Sequence, residues 1–258
     1  MERRNLSMTR SNSQIHRTTV DYVPVIWCEP GDNRTGHVAV WLNGMGGRKD
    51  DLVPYLEDLA ARGFLAVSFD TYQHGERMPE APETFWPKVH ANKRRYFWPM
   101  MANTIDELPR ILDWAAESLG ADGKTVVGGI SMGGDIAVAA AGLDPRIVAV
   151  AACISTPDWL RPGTDETPSK PDTYAWNCYR RFNPLTNIGH YGHCPAIVFE
   201  NGADDGHVPP DGARRFERQL RDTYAACPER LAIREHPVAH RMIPQMWDNA
   251  LEWFCRHV

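Results

Sequence analysis

The chain has 258 residues, 43% of them hydrophobic, and a formal net charge of -5. That length and apolar content are typical of one globular domain with a large core and exclude a disordered chain. The acidic balance lacks the basic surface that nucleic-acid binding needs, so we expect a small-molecule partner and no nucleic acid. No run approaches the eighteen or so apolar residues of a membrane helix, and the first residues lead into no secretory signal. This predicts a cytoplasmic protein with no membrane span.

The N-terminal residues and the cysteines suggest no chemistry of their own. Residues 1–17 are rich in Arg, Ser and Asn, a composition that flexible tails share with transit peptides. We interpret them as a flexible tail before a single domain over residues 18–258. The six cysteines include no Cys-x-x-Cys pair, so neither a zinc site nor a redox motif is predicted. We expect no metal and no cofactor.

Strand-like and helix-like segments alternate along the rest of the chain. This alternation is typical of an α/β protein with a mostly parallel sheet covered on both faces. The predicted strands are, in chain order, residues 20–28 as one or two strands, 37–42, 64–69, the run that begins at Thr125, 147–154, 196–200 and 231–235. The predicted helices are residues 52–60, 104–119, 135–141, 211–224 and 243–257.

Two long insertions, at about residues 78–101 and 156–191, interrupt this alternation. Between them, Thr104 and Glu107 have the spacing of a capping box that begins a helix. Pro109 inside that helix predicts a kink or a later start. The second insertion holds five prolines, which argue against regular sheet there.

One turn carries a candidate nucleophile. An apolar strand runs into Gly129-Ile130-Ser131-Met132-Gly133 and then into a helix-forming segment. Gly-x-Ser-x-Gly in that context is typical of a nucleophile elbow, in which the serine lies on a strained corner with its hydroxyl exposed. Gly129 and Gly133 let the strand and the helix pass close together where a Cβ would clash. The motif is also short enough to be an ordinary glycine-rich turn, so Ser131 needs further support.

A serine hydroxyl becomes a good nucleophile when a base takes its proton and a third group orients that base. In elbow proteins these groups follow the order serine, acid, histidine. Asp204 and Asp205 come just after a predicted strand, and that position faces the same sheet edge as the elbow. His240 lies in a short loop between the last strand and the terminal helix, whereas His236 would still lie at the strand's end. The order and placement predict a catalytic site of Ser131, one of the two aspartates, and His240.

These motifs resemble those of the α/β-hydrolase fold, and within it the dienelactone-hydrolase and prolyl-oligopeptidase-like esterases. The resemblance covers most of residues 38–254. The matching stretches are Asp70 with His74-Gly75-Glu76-Arg77, Gly129 to Gly133, Gly202-x-x-Asp205-x-x-Val208-Pro209, and His240 before the last helix. Asn43-Gly44 also matches, although the family usually has His-Gly at this position. The resemblance implies an α/β-hydrolase fold with lid-like insertions, a brace near the site from residues 74–77, and Asp205 as the acid.

The resemblance also implies an oxyanion hole made of two backbone N–H groups. One follows the nucleophile, at Met132, and the other lies in the loop after the third strand, at Met45. Because the amides act in such a site, we expect the two methionine side chains to line the pocket. Asn43 departs from the family's usual histidine, which puts the support of this loop in question but removes no donor.

The two insertions are rich in aromatic residues and lie above the sheet edge that carries the candidate catalytic residues. Such side chains either form an apolar substrate pocket beneath a lid or simply cover the core. The candidates for substrate binding are Trp86, Trp98, Trp159 and Trp176. The run Lys93-Arg94-Arg95 is either a solvated face or a binding site for a substrate carboxylate.

The combined interpretation is a serine hydrolase of the carboxylesterase kind, acting on an ester of a small or medium organic acid through an acyl-enzyme. The same residues would serve a thioester, a lactone, an amide or peptide, or acyl transfer to an alcohol, because the fold does not fix the acceptor. A ligand-binding homologue without turnover is the alternative from another class. The sequence does not specify the oligomeric state.

Overall fold

The structure, a computed structural model, describes residues 14–167 and 169–258. Within them, eight strands and seven α-helices alternate as the sequence pattern predicts. The strands are β1 (Ile15–Val20), β2 (Val23–Cys28), β3 (Val38–Leu42), β4 (Leu65–Phe69), β5 (Thr125–Ile130), β6 (Ile147–Cys153), β7 (Ala196–Gly202) and β8 (Leu231–His236). The helices are α1 (Val53–Ala61), α2 (Pro82–Ala91), α3 (Lys93–Leu119), α4 (Met132–Leu143), α5 (Thr173–Phe182), α6 (Asp211–Leu220) and α7 (Pro244–His257).

The eight strands form one sheet in the order β1-β2-β4-β3-β5-β6-β7-β8. The β1–β2 and β2–β4 pairs are antiparallel, and the five pairs from β4 to β8 are parallel. The prediction of a mostly parallel sheet is therefore confirmed. Because β3, β5, β6, β7 and β8 run in one direction, the loops that follow them meet at one edge of the sheet.

The core has two halves, one on each face of the sheet. In β3, Val38, Val40 and Leu42 belong to one apolar cluster, whereas Ala39 and Trp41 belong to the other. This alternation follows from the two-residue period of a strand. Helices α3, α4, α5 and α6 cover the first face, and α1 and α7 cover the second. The central strands are thus buried on both sides, which explains their continuous apolar runs.

The N-terminal boundary differs from the predicted one. The predicted flexible tail includes residues 15–17, which instead form the first half of β1, where Ile15 pairs with Cys28 of β2. The ring of His16 also stacks on Trp27 with 5.0 Å between centroids. Pairing with a neighbouring strand decides β structure more than local composition does. The rest of the predicted tail, residues 1–13, lies outside the described residues.

Helix α3 is longer than predicted. It begins at Lys93 rather than at Thr104, and it continues through Pro109 to Leu119. The hydroxyl of Thr104 donates to Met100 O at 2.8 Å, so it bonds back into the helix and does not cap a new one. The capping-box interpretation was therefore wrong, and most of the first insertion is helical. Burial of one face of α3 against the sheet outweighs the helix bonds that its two prolines cannot make.

The second insertion has no strand in its described residues; it contains loops, short 3-10 turns and α5, which packs against α3. No helix in the described chain is long and apolar enough to cross a membrane.

Candidate active site

The turn after β5 holds Ser131 in a strained conformation. Its φ and ψ are 53° and -113°, a region that L residues rarely adopt. The turn is fixed at both ends, because Ser131 N donates to Cys153 O at 2.8 Å and Asp135 N donates to Ser131 O at 3.0 Å. A Cβ on Gly129 would lie 2.6 Å from Leu42 O, and one on Gly133 would lie 2.4 Å from the same atom. The glycines therefore allow the close approach that the elbow requires.

Replacing Gly133 with alanine should destabilise the protein by at least about 2 kcal/mol, because the new Cβ meets backbone that cannot rotate away. Gly192→Ala is the matched control, since Gly192 has an αR backbone and no described residue lies within 4 Å of its added Cβ. Urea unfolding measures both variants. A Gly133→Ala protein as stable as the Gly192→Ala protein would contradict the observed packing of the elbow.

The structure brings Ser131, His240 and Asp205 together from three different loops. His240 Nε2 lies 3.1 Å from Ser131 Oγ, and His240 Nδ1 lies 2.7 Å from Asp205 Oδ2. An ionised carboxylate can only accept hydrogen bonds, so Nδ1 carries the proton and Nε2 is left to accept from the serine hydroxyl. These three residues are called the candidate triad below.

Asp205 is held as a carboxylate. Its Oδ1 accepts hydrogen bonds from Val208 N at 2.8 Å and His207 N at 3.0 Å. Burial acts to raise the pKa of Asp205, but the hydrogen bonds from His240, Val208 and His207 outweigh it, so the pKa lies below its ordinary value. The neighbouring Asp204 is exposed. Of the two aspartates that the sequence left open, Asp205 is the one that contacts His240.

His236 has a different partner, as its position at the end of β8 suggests. Its Nε2 lies 2.7 Å from Oε2 of Glu200, a buried residue of β7. His207 stands beside the candidate triad, with its ring 4.7 Å from that of His240. His207 lies next to His240 because it belongs to the same loop as Asp205.

The loop after β3 passes directly over the elbow. A Cβ on Gly44 would lie 3.6 Å from Ser131 Cβ, and Met45 lines the pocket at Ser131. Asn43 is buried, and its Nδ2 donates to Gly44 O at 2.8 Å. Asn43 thus stabilises the loop by a hydrogen bond inside it, at the position where the resembled family usually has a histidine.

The two proposed oxyanion donors are the backbone N–H groups of Met45, in the loop after β3, and of Met132, directly after Ser131. Met132 is the first residue of α4, and an N–H in a helix's first turn has no acceptor within the helix. Its side chain is fully buried in the core, so the expectation that both methionine side chains line the pocket is wrong for Met132. Met45 does line it.

A buried ionic cluster braces the loop next to Met45. Asp70 accepts from Lys49 N at 3.0 Å, Lys49 Nζ at 2.9 Å and Glu76 N at 2.9 Å. Arg77 forms a two-pronged pair with Glu107 at 2.6 and 2.7 Å. Residues 74–77 therefore tie the end of β4 to the glycine-rich loop and to α3, and they lie outside the candidate triad.

A family model described as the alpha/beta hydrolase fold matches residues 40–183, more than half of the chain. The chain belongs to the α/β-hydrolase family. The curated protein named "Putative esterase YitV" from Bacillus subtilis (strain 168) is 24% identical over 256 residues, an alignment that covers 93% of this chain and 98% of YitV.

Solved structures agree on the fold. TT1662 from Thermus thermophilus superposes with a TM-score of 0.75 at 20% identity and covers 95% of this chain and 98% of its own. A Mycobacterium tuberculosis puromycin-hydrolyzing peptidase has a TM-score of 0.71 at 16% identity and covers 98% of this chain, which spans 40% of the peptidase. Similar solved chains also include a protein from Klebsiella pneumoniae subsp. pneumoniae MGH 78578 named "Putative Dienelactone Hydrolase". The resemblance inferred from the motifs is thereby confirmed.

The α/β-hydrolase elbow opens into a very small pocket, called the Ser131 pocket below. Its lining residues are Met45, Lys93, Phe97, Ser131, Arg161 and His207. Its volume is about 20 Å³, room for about one water molecule. A second pocket of about 200 Å³, the side pocket, shares Lys93, Phe97 and Arg161 with it. A substrate group larger than a methyl must extend beyond the Ser131 pocket or displace its walls.

The four candidate tryptophans take different positions. Trp98 and Trp159 line the side pocket. Trp86 lines a separate cleft of about 440 Å³ that contains Gly46 and Glu76. Trp176 lines neither the Ser131 pocket nor the side pocket, and its ring packs 5.2 Å from Trp98 because α5 lies against α3. Trp86 and Trp176 therefore line neither the Ser131 pocket nor the side pocket.

Several residues at the Ser131 pocket or the side pocket were not among the predicted site residues. Phe97 is one of several aromatic residues in the first insertion, and His207 lies in the loop after Asp205 with no motif of its own. Arg161 and Glu166 lie in an irregular loop, where no periodic pattern indicates which side chains point inward. The run that begins at Lys93 is the one sequence signal for this part of the site.

Glu166 lines the side pocket and joins its own loop to α3 and to the loop that carries His207. Its carboxylate pairs with Lys93 of α3 and lies 2.8 Å from His207 Nδ1. Burial acts to raise the pKa of Glu166, but the hydrogen bonds from His207 and Lys93 and the charge of Arg161 lower it to about 2.

Because the pKa of Glu166 falls on folding, its carboxylate stabilises the protein above its ordinary pKa of 4.5 and loses this effect as pH falls toward about 2. We expect the wild type to be more stable than Glu166→Gln at pH 6. This difference should shrink by about 2 kcal/mol between pH 4.5 and pH 3. Urea unfolding of both proteins across that range measures it, and a constant difference would contradict the ion-pair geometry.

Proposed function

We propose that this chain is a serine hydrolase that cleaves an ester of a small or medium organic acid through an acyl-enzyme. The observation that carries the proposal is the continuous contact from Asp205 through His240 to Ser131 on a strained elbow. Membership of the α/β-hydrolase family and the 24% identity to the protein named "Putative esterase YitV" support it.

In the first half of the reaction, His240 Nε2 takes the proton of Ser131 Oγ as Oγ attacks the ester carbonyl carbon. The tetrahedral oxyanion accepts hydrogen bonds from the Met45 and Met132 amides, and each such donor is worth about 3 kcal/mol of transition-state stabilisation. The Asp205 carboxylate holds the His240 tautomer and stabilises the imidazolium that forms. When the tetrahedral species collapses, the C–O bond to the alcohol breaks and His240 gives the alcohol its proton.

In the second half, His240 Nε2 takes a proton from water while the water oxygen attacks the acyl carbon on Ser131. The same two amides accept the second oxyanion. Collapse breaks the bond to Ser131 Oγ, which regains a proton from His240, and the free acid leaves. No step needs a group beyond the candidate triad, the two amides and water.

Other acyl substrates use the same steps with another leaving group, so a thioester, a lactone, an amide or an alcohol acceptor is a question of substrate choice. A ligand-binding homologue without turnover has no need for a histidine that is hydrogen-bonded on both ring nitrogens. The geometry therefore favours catalysis over binding alone.

A substrate panel tests the proposal. It compares p-nitrophenyl butyrate with a butyryl thioester, a lactone and a butyryl anilide, each with the wild type and Ser131→Ala. We expect the ester to give a burst of p-nitrophenol followed by steady turnover in the wild type, and neither in the variant. A ligand-induced melting shift without turnover of any substrate would contradict the proposal. Preferential turnover of the anilide would replace the esterase assignment by an amidase one.

A further inference from the structure

The side pocket is the space next to the Ser131 pocket. The two pockets share Lys93, Phe97 and Arg161, so a group attached at Ser131 that extends past these residues enters the side pocket. The Ser131 pocket also contains Met45, the proposed oxyanion donor. His240 is not among its lining residues and is 27% exposed through its side chain. This arrangement suits the acyl part of a substrate, because the alcohol leaves on the side of His240.

The walls of the side pocket are predominantly positive. Among the described residues, Lys93, Arg94 and Arg161 line it together with one carboxylate, that of Glu166. Lys93 pairs with Glu166, and Arg161 pairs with the buried Asp135, so Arg94 is the cation in excess of these two ion pairs. Since opposite charges attract strongly in a partly desolvated pocket, these walls favour an anionic group.

The basic run at the N-terminus of α3 destabilises that helix. This helix begins with three cations, Lys93, Arg94 and Arg95, and has no acidic residue in its first turn. Cations at that end are unfavourable, because the N-terminus of a helix carries the positive end of its dipole. A local arrangement that weakens the helix is expected where a function requires it. The helix end adds to the positive potential of the side pocket.

Arg161 is held in the pocket wall at an energetic cost. Its backbone φ is 49°, a left-handed conformation unusual for a residue with a side chain. The residue is 8% exposed, and its Nη2 donates to Asp135 Oδ2 at 2.7 Å. Its Nη1 lies 3.8 Å from Glu166 Oε1, beyond hydrogen-bond distance, and Nε has no hydrogen-bond partner among the described residues. Arg161 therefore keeps donors that Asp135 does not use.

Apolar rings provide the rest of the side pocket. Phe97, Trp98 and Trp159 line it, and the Arg161 guanidinium lies 5.0 Å from the centre of the Phe97 ring. A short carbon chain can pack on these rings while a charged end reaches the cations. The volume of about 200 Å³ is enough for a chain of a few carbons.

We propose that the acyl part of the substrate carries a carboxylate, so that the preferred ester is a half-ester of a short dicarboxylic acid. Lys93 and Arg161 bind the free carboxylate in the side pocket while Ser131 attacks the ester carbonyl. This inference rests on the proposed function. It extends that function by the charge and the length of the acid.

The test compares two p-nitrophenyl esters of equal length. One is p-nitrophenyl hydrogen adipate, which ends in a carboxylate, and the other is its neutral amide analogue, p-nitrophenyl 6-amino-6-oxohexanoate. The readout is the ratio of their kcat/KM values, measured by p-nitrophenol release. We expect the wild type to prefer the adipate by about 10-fold or more, because a hydrogen-bonded charge contributes that much to binding. The ratio should fall as NaCl is added.

Three variants locate the preference. Lys93→Gln should lower the ratio about 5-fold or more, whereas Lys93→Arg, which keeps the charge, should retain most of it. Arg95→Gln is the matched control, since Arg95 lies in the same helical turn with its side chain 53% exposed and is not among the residues that line the side pocket. Arg161→Lys should also lower the ratio, and it keeps a cation beside the buried Asp135. Thermal unfolding of each variant checks that it is folded.

The outcomes separate this inference from the function on which it rests. If both esters are hydrolysed with equal kcat/KM, or if Lys93→Gln and Arg95→Gln change the ratio equally, the carboxylate site is wrong and the serine hydrolase stands. If neither ester releases p-nitrophenol above the Ser131→Ala rate, the proposed function itself fails. A ratio that falls with Lys93→Gln and survives Lys93→Arg supports the site.

Discussion

Replacing Ser131 with alanine should lower kcat for p-nitrophenyl butyrate by at least about 10⁴-fold, since a serine hydrolase without its nucleophile keeps only the contribution of its oxyanion hole and binding. The hydroxyl lies 3.1 Å from His240 Nε2, and no other atom of the side chain is lost. Stability should change little, because the backbone at φ 53° is as strained for alanine as for serine. Steady-state kinetics and thermal unfolding measure the two effects.

Ser155→Ala is the matched control for this change. Ser155 is buried just after β6, at the same edge of the sheet, and its backbone N donates to Asn201 Oδ1 at 3.1 Å. The variant removes a serine hydroxyl of the same kind without touching His240, so kcat should stay within a few-fold of the wild type. Equal losses in Ser131→Ala and Ser155→Ala would mean that Ser131 has no special role.

Replacing Asp205 with asparagine should lower kcat by about 10³- to 10⁴-fold with a smaller effect on KM. The asparagine oxygen can still accept from the Val208 and His207 amides, so the loop should keep its shape. Its NH2 group facing His240 Nδ1 would instead favour the tautomer with the proton on Nε2. That nitrogen could then no longer take the proton of Ser131.

Asp204→Asn provides the comparison for Asp205. Asp204 is exposed, and its backbone N donates to Val238 O at 3.1 Å, a bond that the substitution keeps. We expect Asp204→Asn to retain wild-type kcat. The result that would contradict our assignment is a larger loss of activity in Asp204→Asn than in Asp205→Asn.

The contacts between the candidate triad residues could be anticipated from the sequence because they follow from sheet geometry. Each residue comes just after a strand, and parallel strands bring their carboxyl ends to one edge. The elbow glycines carried the strongest signal, since the backbone approach between Gly133 and Leu42 admits no Cβ. The resemblance to the family's Gly-x-x-Asp-x-x-Val-Pro pattern separated Asp205 from Asp204. In the structure, one carboxylate oxygen of Asp205 accepts from Val208 N three residues later.

Tertiary context decided the features that the sequence did not reveal. Thr104 and Glu107 have capping-box spacing, yet packing extends α3 over both of them and back to Lys93. Likewise, nothing in the spacing of Trp86 and Trp176 distinguishes them from Trp98 and Trp159. Their positions depend on how α2 and α5 pack against α3.

The side pocket was the hardest part of the site to anticipate. Arg161 and Glu166 belong to an irregular loop, where side-chain direction follows no period and depends on individual contacts such as the pair with Asp135. The basic run at Lys93 is also compatible with a solvated face. Its partner, Glu166, lies far along the sequence and becomes apparent only when the loop is folded over α3.

The most direct measurement of the central claim is the site at which a serine-directed fluorophosphonate attaches. After labelling and proteolysis, peptide mass spectrometry should find the phosphonyl group on Ser131, in a stoichiometry that tracks the loss of esterase activity. Labelling should disappear in Ser131→Ala and persist in Ser155→Ala. Stoichiometric labelling of another residue, with Ser131 unmodified in the inactivated protein, would contradict the account.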